Sequence, residues 1–342
     1  MKIIFYAPYN MSENQEFSLD RAPRIRCYNI YKYLRKKCEV VLVCGDAKER
    51  KKKYKILLKS NLKGIDGFYM ERPNCSLKYF DIDFLKKINE YKVPMSMFYR
   101  DIHWKFPVFS KTVYQRIKFR RKFNKSTKQF QFYKNYFDHI YSPTKEFAEF
   151  AKLDPKCLLP PAGEITNLSK EKNIGILFSG SQKSGFDKLL IANELLLKKG
   201  YDIPFYIIMR NFNFTKPSNF KVYHVLTDKI FKKVHIGIIP LNPTDYYKMA
   251  FSLKFMQYLS NGLPVICQQL PAFVRFNDQY NVCKFFDGTS EDLAKKIEYL
   301  VQNKITRIEL SKNAMEAIKN RENWQQRVDT IINDLSIINK GK

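Results

Sequence analysis

The sequence predicts an α/β protein made of two successive parallel-sheet domains. Three observations carry that reading. The chain has 342 residues, and a length of that order favours two domains of roughly 150 residues each. Short apolar strands alternate with amphipathic helices, first from residue 3 and afresh from residue 174, the pattern of βαβ units. Between the two runs lies a linker at 158–164 that contains Pro160 and Pro161. The composition, 45% hydrophobic and 27% charged, is globular and excludes a disordered or collagen-like chain.

In the first half, residues 3–8 read as a short buried strand. Ile25, Tyr28, Ile30, Tyr31 and Leu34 then recur at helical spacing over 24–37, and 40–44 is a second strand. Strand, helix and strand in about 45 residues imply parallel pairing. A basic helix is expected over 48–59, and strands over 94–99 and 138–142. Thr144 caps a helix over 145–152. In the second half, strands are expected at 174–178, 205–209, 221–226, 235–240 and 263–268. The helix over 186–199 stops at Gly200, a natural C-terminal cap, and that over 252–260 stops at Asn261-Gly262. Further helices are expected over 291–302, 308–320 and 324–338.

Charge and cysteines bound the function. Lys and Arg number 61 against 33 acids, a net charge of +28. Anionic partners follow: nucleic acid, an acidic membrane surface or phosphorylated small molecules. Abundant Lys, Asn, Ile, Tyr and Phe also fit A/T-rich codon usage, which leaves open how much of the charge serves binding. Seven cysteines, none in a C-x-x-C pair, argue against a disulfide framework or zinc ribbon and point to a reducing, cytoplasmic setting. The N-terminal apolar run is too short for a signal peptide, and no stretch approaches the ~20 residues of a bilayer span.

Several nucleotide and hydrolase motifs are missing. The loop over 9–23 holds no Gly, so a dinucleotide fingerprint is absent. No P-loop, H-E-x-x-H or G-x-S-x-G occurs, and the four His are isolated; no metal is expected. A stronger signal is the helix, Gly turn and strand over 252–266. Lys254 and Gln257 are three apart on one helix face. The preceding strand ends at Pro240, and open α/β sheets bind ligands beyond the carboxyl ends of their strands. Lys254 is either a phosphate-binding cation there or a solvated surface lysine.

Lys254, Gln257, Tyr258, Gly262, Pro264 and Val265 resemble the K-x-x-E-Y-x-A-x-G-x-P-V signature of GT-B glycosyltransferases of the large, mostly retaining group 4/group 1 kind. Other segments agree in order. Residues 141–148 resemble the strand and helix that close the family's N-terminal domain, and 158–163 its P-N-G linker. Residues 178–181 resemble the phosphate-facing loop that opens its C-terminal domain, and Trp324 with Arg327 the W-x-x-R of its final helix. The resemblance implies the GT-B fold, two Rossmann-like domains facing a central cleft. Residues 1–160 would form the acceptor domain, 161–322 the donor domain, and 323–342 a helix crossing back.

By motif position, Gly180 and Ser181 would approach the donor diphosphate, with Lys183 and Lys254 to neutralise it and no metal or other cofactor. The family's E-x7-E pair falls on Met249 and Gln257; Gln257 keeps hydrogen-bonding capacity toward a ribose, and Met249 does not. The family also carries a functional His near 100–104, which places a catalytic role on His103 with Asp101 beside it. Two apart on an extended segment, these point to the same side, and a carboxylate beside an imidazole suits orientation or proton transfer; a capped loop with a structural His is the plain alternative. Arg21 and Arg24, with Arg26, would receive an acidic acceptor, or simply solvate a helix start.

Residues 102–137 hold ten Lys or Arg, eleven aromatics and no acid, with Phe109, Val113 and Ile117 at helical spacing. A basic amphipathic helix of this kind reads as a surface for anionic membrane. Core packing is the plain alternative. Nucleic acid is the rival partner, and no RRM, KH or helix-turn-helix pattern accompanies it. The sequence therefore points to a glycosyltransferase, hexosyltransferase-like and retaining by resemblance. It would move sugar from a nucleotide-sugar to a lipid-linked or oligosaccharide acceptor of a surface polysaccharide, in the cytoplasm or at the inner face of the plasma membrane. The alternatives are a GT-B-fold sugar epimerase and a catalytically degenerate nucleotide-sugar or nucleic-acid-binding protein.

Overall fold

The computed structural model describes residues 1–7, 9, 11, 22–72, 77–106 and 112–341, with only the backbone at Ala22 and Val113. Arg21, Phe109 and Cys75 lie outside the described residues. The chain divides into two compact units, Met1–Pro160 with Trp324–Lys342, and Pro161–Asn323.

The first unit runs β1 (Lys2–Tyr6), α1 (Ala22–Leu34), β2 (Glu39–Val43), α2 (Ala47–Lys59), β3 (Gly67–Glu71), α3 (Tyr79–Glu90) and β4 (Met95–Phe98). A 3-10 turn at His103–Lys105 follows, then α4 (Val113–Tyr136), β5 (His139–Tyr141) and α5 (Lys145–Ala151). Its sheet has the order β2-β1-β3-β4-β5, and every pairing is parallel. The sequence expectations miss β3 and α3. All five residues of β3 are buried, Glu71 included, so no apolar–polar alternation marks it.

The second unit runs β6 (Ile176–Ser179), α6 (Phe186–Lys198), β7 (Phe205–Ile208), β8 (Phe220–Tyr223), α7 (Asp228–Phe231), β9 (Ile236–Ile239) and α8 (Asp245–Lys248). It continues through α9 (Leu253–Ser260), β10 (Val265–Gln268), α10 (Pro271–Tyr280), β11 (Cys283–Phe286), α11 (Ser290–Gln302) and α12 (Lys304–Asn320). The sheet order is β11-β10-β9-β6-β7-β8, again all parallel. Both faces are covered, as parallel sheets require. Ile176 and Phe178 face the core under α6 and α11, while Leu177 faces the core under α9, α10 and α12, the period-2 alternation of a strand.

The last helix, α13 (Trp324–Gly341), belongs to the first unit. Its Leu335 packs against Gly67 so closely that a Cβ there would meet the leucine at 3.0 Å. Tyr141 donates its hydroxyl to Asp334 at 2.7 Å, and Lys37 pairs with Asp329.

Arg26 is the charged hub of this unit. Only 4% exposed, it donates Nε to both Glu71 carboxylate oxygens at 3.0 and 3.2 Å and Nη1 to the Leu159 carbonyl at 3.2 Å. Its guanidinium lies 3.4 Å from the centre of the Phe98 ring. Tyr69 adds a hydrogen bond to Glu71 at 2.7 Å. The sequence offers Arg26 as a possible acceptor contact; the structure instead buries it as a clamp between α1, β3, β4 and the chain leaving the unit. Breaking a buried pair strands a charge at a cost of about 3–5 kcal/mol, while replacing both partners by apolar groups is far milder. Glu71→Ala is therefore expected to destabilise the unit by about that amount in urea unfolding. An Arg26→Met, Glu71→Leu double variant should recover most of it.

Candidate active site

In the second unit a cavity of ≈ 190 Å³ opens at the carboxyl ends of β6 and β9. Ser179, Ser184, Pro240, Tyr246, Ser252 and Lys254 are among its lining residues. This is where an open parallel sheet places ligands, and three local features build it.

The first is the seat of α9. Gly237 in β9 leaves room for the Tyr258 ring, which a Cβ would meet at 2.3 Å. The Tyr258 hydroxyl accepts the Ser179 amide at 2.9 Å. Phe255 stacks on Phe273 of α10 with ring centres 4.6 Å apart. The start of α9 is thereby fixed beside the end of β6.

The second is the loop between β6 and α6. Gly185 takes φ +78, and a Cβ there would meet the Pro240 carbonyl oxygen at 1.8 Å; only glycine fits that approach. The loop satisfies itself. Gly180 donates its amide to the Ile208 carbonyl at 3.0 Å. Ser181 donates to Ser184 Oγ at 3.3 Å, and the two hydroxyls lie 2.9 Å apart.

The third is the start of α9 itself. Ser252 makes no side-chain cap, and no acid stands in the first turn. The bare helix N-terminus carries partial positive charge and unpaired amides. Lys254 adds a half-buried ammonium, which has no hydrogen bond or ion pair among the described residues. Burial alone pushes its pKa down to about 8. A desolvated cation beside a helix N-terminus is a site for an anion, phosphate above all.

The structure thus brings Lys254 together with Ser179 and Ser184, while Gly180 and Ser181 flank the cavity with their amides engaged. Lys183 is exposed on the loop and does not line the cavity. Gln257 sits half-buried one turn beyond Lys254, also outside the lining. Met249 is buried at the end of α8. Sequence reasoning does not find Ser184, Tyr246 or Tyr247, which come from separate loops and carry no local pattern.

In the first unit, Asp101 and His103 do not share an extended face, because the chain coils into a 3-10 turn at His103. The Asp101 carboxylate is held by Arg100 at 3.2 Å and lies 3.8 Å from Arg72. Desolvation is the main cause lowering the His103 pKa; Asp101 opposes it, and Arg100, Lys122 and Arg72 reinforce it. The imidazole is therefore neutral at pH 7. Arg24 is half-buried, with its guanidinium 5.9 Å from the centre of the Tyr9 ring.

The Lys254 shift has a measurable sign. From about pH 8 to the ordinary lysine value of 10.5, the unfolded chain binds more protons than the folded one, so stability rises with pH. Lys254→Met should remove that slope and stabilise the protein at pH 7 by on the order of 1 kcal/mol, or about 2–4 °C in melting temperature. Thermal melts at pH 7 and pH 10 check both.

Residues 197–333 match the family model described as glycosyl transferase-like. No curated protein sequence matches. Solved structures are similar over the whole chain. Sucrose-phosphate synthase from Thermosynechococcus elongatus has a TM-score of 0.64 at 11% identity, with 100% of each chain covered. HepE from Anabaena, solved with UDP-glucose, has 0.65 at 11% identity, with 98% of this chain and 100% of that one covered. WaaG, a glycosyltransferase involved in lipopolysaccharide biosynthesis, has 0.58 at 12% identity, covering 98% and 99%. The chain has the GT-B fold that the resemblance at 254–266 implies.

Proposed function

We propose that the protein transfers a sugar from a nucleotide-sugar donor, bound at the Lys254 cavity, to a lipid-linked acceptor of a surface glycan. The observation that carries this is the unpaired, desolvated Lys254 ammonium at the uncapped start of α9. As the glycosidic bond breaks, negative charge grows on the departing diphosphate. Preorganised positive charge in a dry site lowers the barrier to that step. Lys254 and the α9 amides supply it with no metal. Gln257, standing where the family has Glu, offers a carboxamide to the ribose hydroxyls. HepE, solved with UDP-glucose, supports a nucleoside-diphosphate sugar as donor. In the first unit, the neutral His103 imidazole suits acceptance of a hydrogen bond or proton from a sugar hydroxyl, and Arg24 suits an acidic acceptor.

The lipid-linked acceptor rests on α4. Eight of its residues are Lys or Arg and none is acidic. Its second half packs inward: Phe130 and Tyr133 are buried and meet Tyr99 with ring centres 4.8 and 6.0 Å away. Its first half is exposed along nearly every face. There Tyr114 is 74% exposed and Ile117 49%, interleaved with Arg116, Lys118, Arg120 and Arg121. The basic aromatic stretch therefore combines core packing with a projecting cationic surface. No helix among the described residues is long and apolar enough to cross a membrane, so contact would be peripheral. WaaG's role in lipopolysaccharide biosynthesis is in keeping with a membrane-borne acceptor.

Melting-temperature shifts with UDP, GDP, ADP, CMP and dTDP test the donor assignment. One nucleotide at 100 times its Kd should stabilise by about 2.7 kcal/mol, and Lys254→Ala should abolish that shift together with sugar transfer. A well-folded protein stabilised by none of them would refute it. For the surface, each Lys or Arg near an anionic leaflet contributes about 1 kcal/mol. Arg116→Glu with Arg120→Glu is expected to weaken binding to phosphatidylglycerol vesicles by about 30-fold or more while leaving the nucleotide shift intact.

A further inference from the structure

A second cavity lies at the opposite, amino edge of the same sheet. Its volume is ≈ 740 Å³, within the range of small-molecule sites. Lys170, Lys172, His235, Lys304, Arg307 and Lys312 line it, and no carboxylate does. Ile174, Pro264 and Ile308 give it an apolar wall. We propose that this cavity binds a ligand bearing two or more phosphate groups, independently of the Lys254 site.

Two of its cations are held in place by backbone carbonyls rather than by acids. Lys170 Nζ donates to the Phe231 carbonyl at 2.7 Å, at the end of α7. Arg307 Nη1 donates to the Leu300 and Val301 carbonyls in the last turn of α11. Each keeps further donors for a ligand. His235 Nδ1 accepts the Gly175 amide at 3.4 Å, so the neutral ring carries its proton on Nε2.

The placement of α12 adds a second argument. Its first turn contains no acid, and Asn303 gives it no side-chain cap. Lys304 and Arg307 stand at that terminus, where cations oppose the helix dipole. A bound anion satisfies both the bare amides and the clustered cations. Of the acids nearby, Glu171 lies 3.8 Å from Lys233, outside the lining, while Glu316 lies 3.9 Å from the lining Lys312; Lys170, Lys304 and Arg307 have no acid partner among the described residues. Burial also lowers the Lys170 pKa to about 8 with no acid to offset it.

The two cavities share their supporting strands. Ile174 and His235 line one, Ser179 and Pro240 the other, at the two ends of β6 and β9.

Calorimetric titration with inorganic pyrophosphate tests the proposal in the full-length Lys254→Gln protein, which separates it from the donor site. Binding is expected to persist there. Adding Lys170→Gln and Lys304→Gln should weaken it by about tenfold or more, with circular dichroism melts confirming the fold. No binding by the Lys254→Gln protein, or an affinity that the two further substitutions leave unchanged, would overturn the proposal, whatever the donor site does. Vesicles containing cardiolipin, a lipid with two phosphates, identify the source of the phosphate. Pyrophosphate-sensitive vesicle binding that needs Lys170 and Lys304 assigns a lipid headgroup, and insensitive binding assigns a soluble diphosphate.

Discussion

The first unit depends on one buried charge. Arg26 reaches Glu71 at the end of β3, the Phe98 face at the end of β4 and the carbonyl of Leu159, where the chain leaves the unit. Its guanidinium is also 6.0 Å from the Trp324 ring, at the start of the returning helix. A single planar cation thus joins two strands, a helix and both chain connections. Guanidinium suits the task because its donors are fixed in a plane while its faces stack on rings. Desolvation of the group is offset by the Glu71 charge. Such a hub fixes geometry more than it adds stability.

The second unit is organised by close approaches instead of charge. Tyr258 lies on Gly237 and accepts the Ser179 amide, while Gly185 lies against the Pro240 carbonyl. Strand ends, loop and helix start are locked, and of the cavity's side chains Ser184 is engaged, by Ser181. Ser252 and Lys254 are left to face it with their own chemistry unspent. The opposite edge of the sheet has the reverse construction, since Lys170 and Arg307 are tethered to carbonyls there. A functional group is thus kept either by leaving it unbonded or by anchoring only part of its donor set.

The legible parts of the sequence were those with a local physical signature. The helix now seen as α9 shows buried apolar positions and a Gly262 stop at φ +64, and its lysine stands out by motif. Strand β3 was not legible because its five residues are all buried and show no apolar–polar alternation, and the partner of its terminal Glu71 lies 45 residues earlier in the chain. Helix α10 begins on Pro271 directly after β10, where a proline reads as a loop. The expected pairing of Asp101 with His103 assumed extended backbone; Arg100 and Arg72 claim the carboxylate, and the 3-10 turn redirects the ring. Ser184, Tyr246 and Tyr247 meet Lys254 only through the tertiary fold.

The lowered basicity of Lys254 has a chemical consequence. With a pKa of about 8, roughly one side chain in ten is a free amine at pH 7, against about one in several thousand for an ordinary lysine. Free amine, not ammonium, attacks aldehydes and activated esters. Among the many lysines of this chain, Lys254 and Lys170 are therefore marked out as nucleophiles. An aldehyde that also carries a phosphate would be drawn to each of them twice, by charge and by reactivity, and would label the two cavities ahead of the surface.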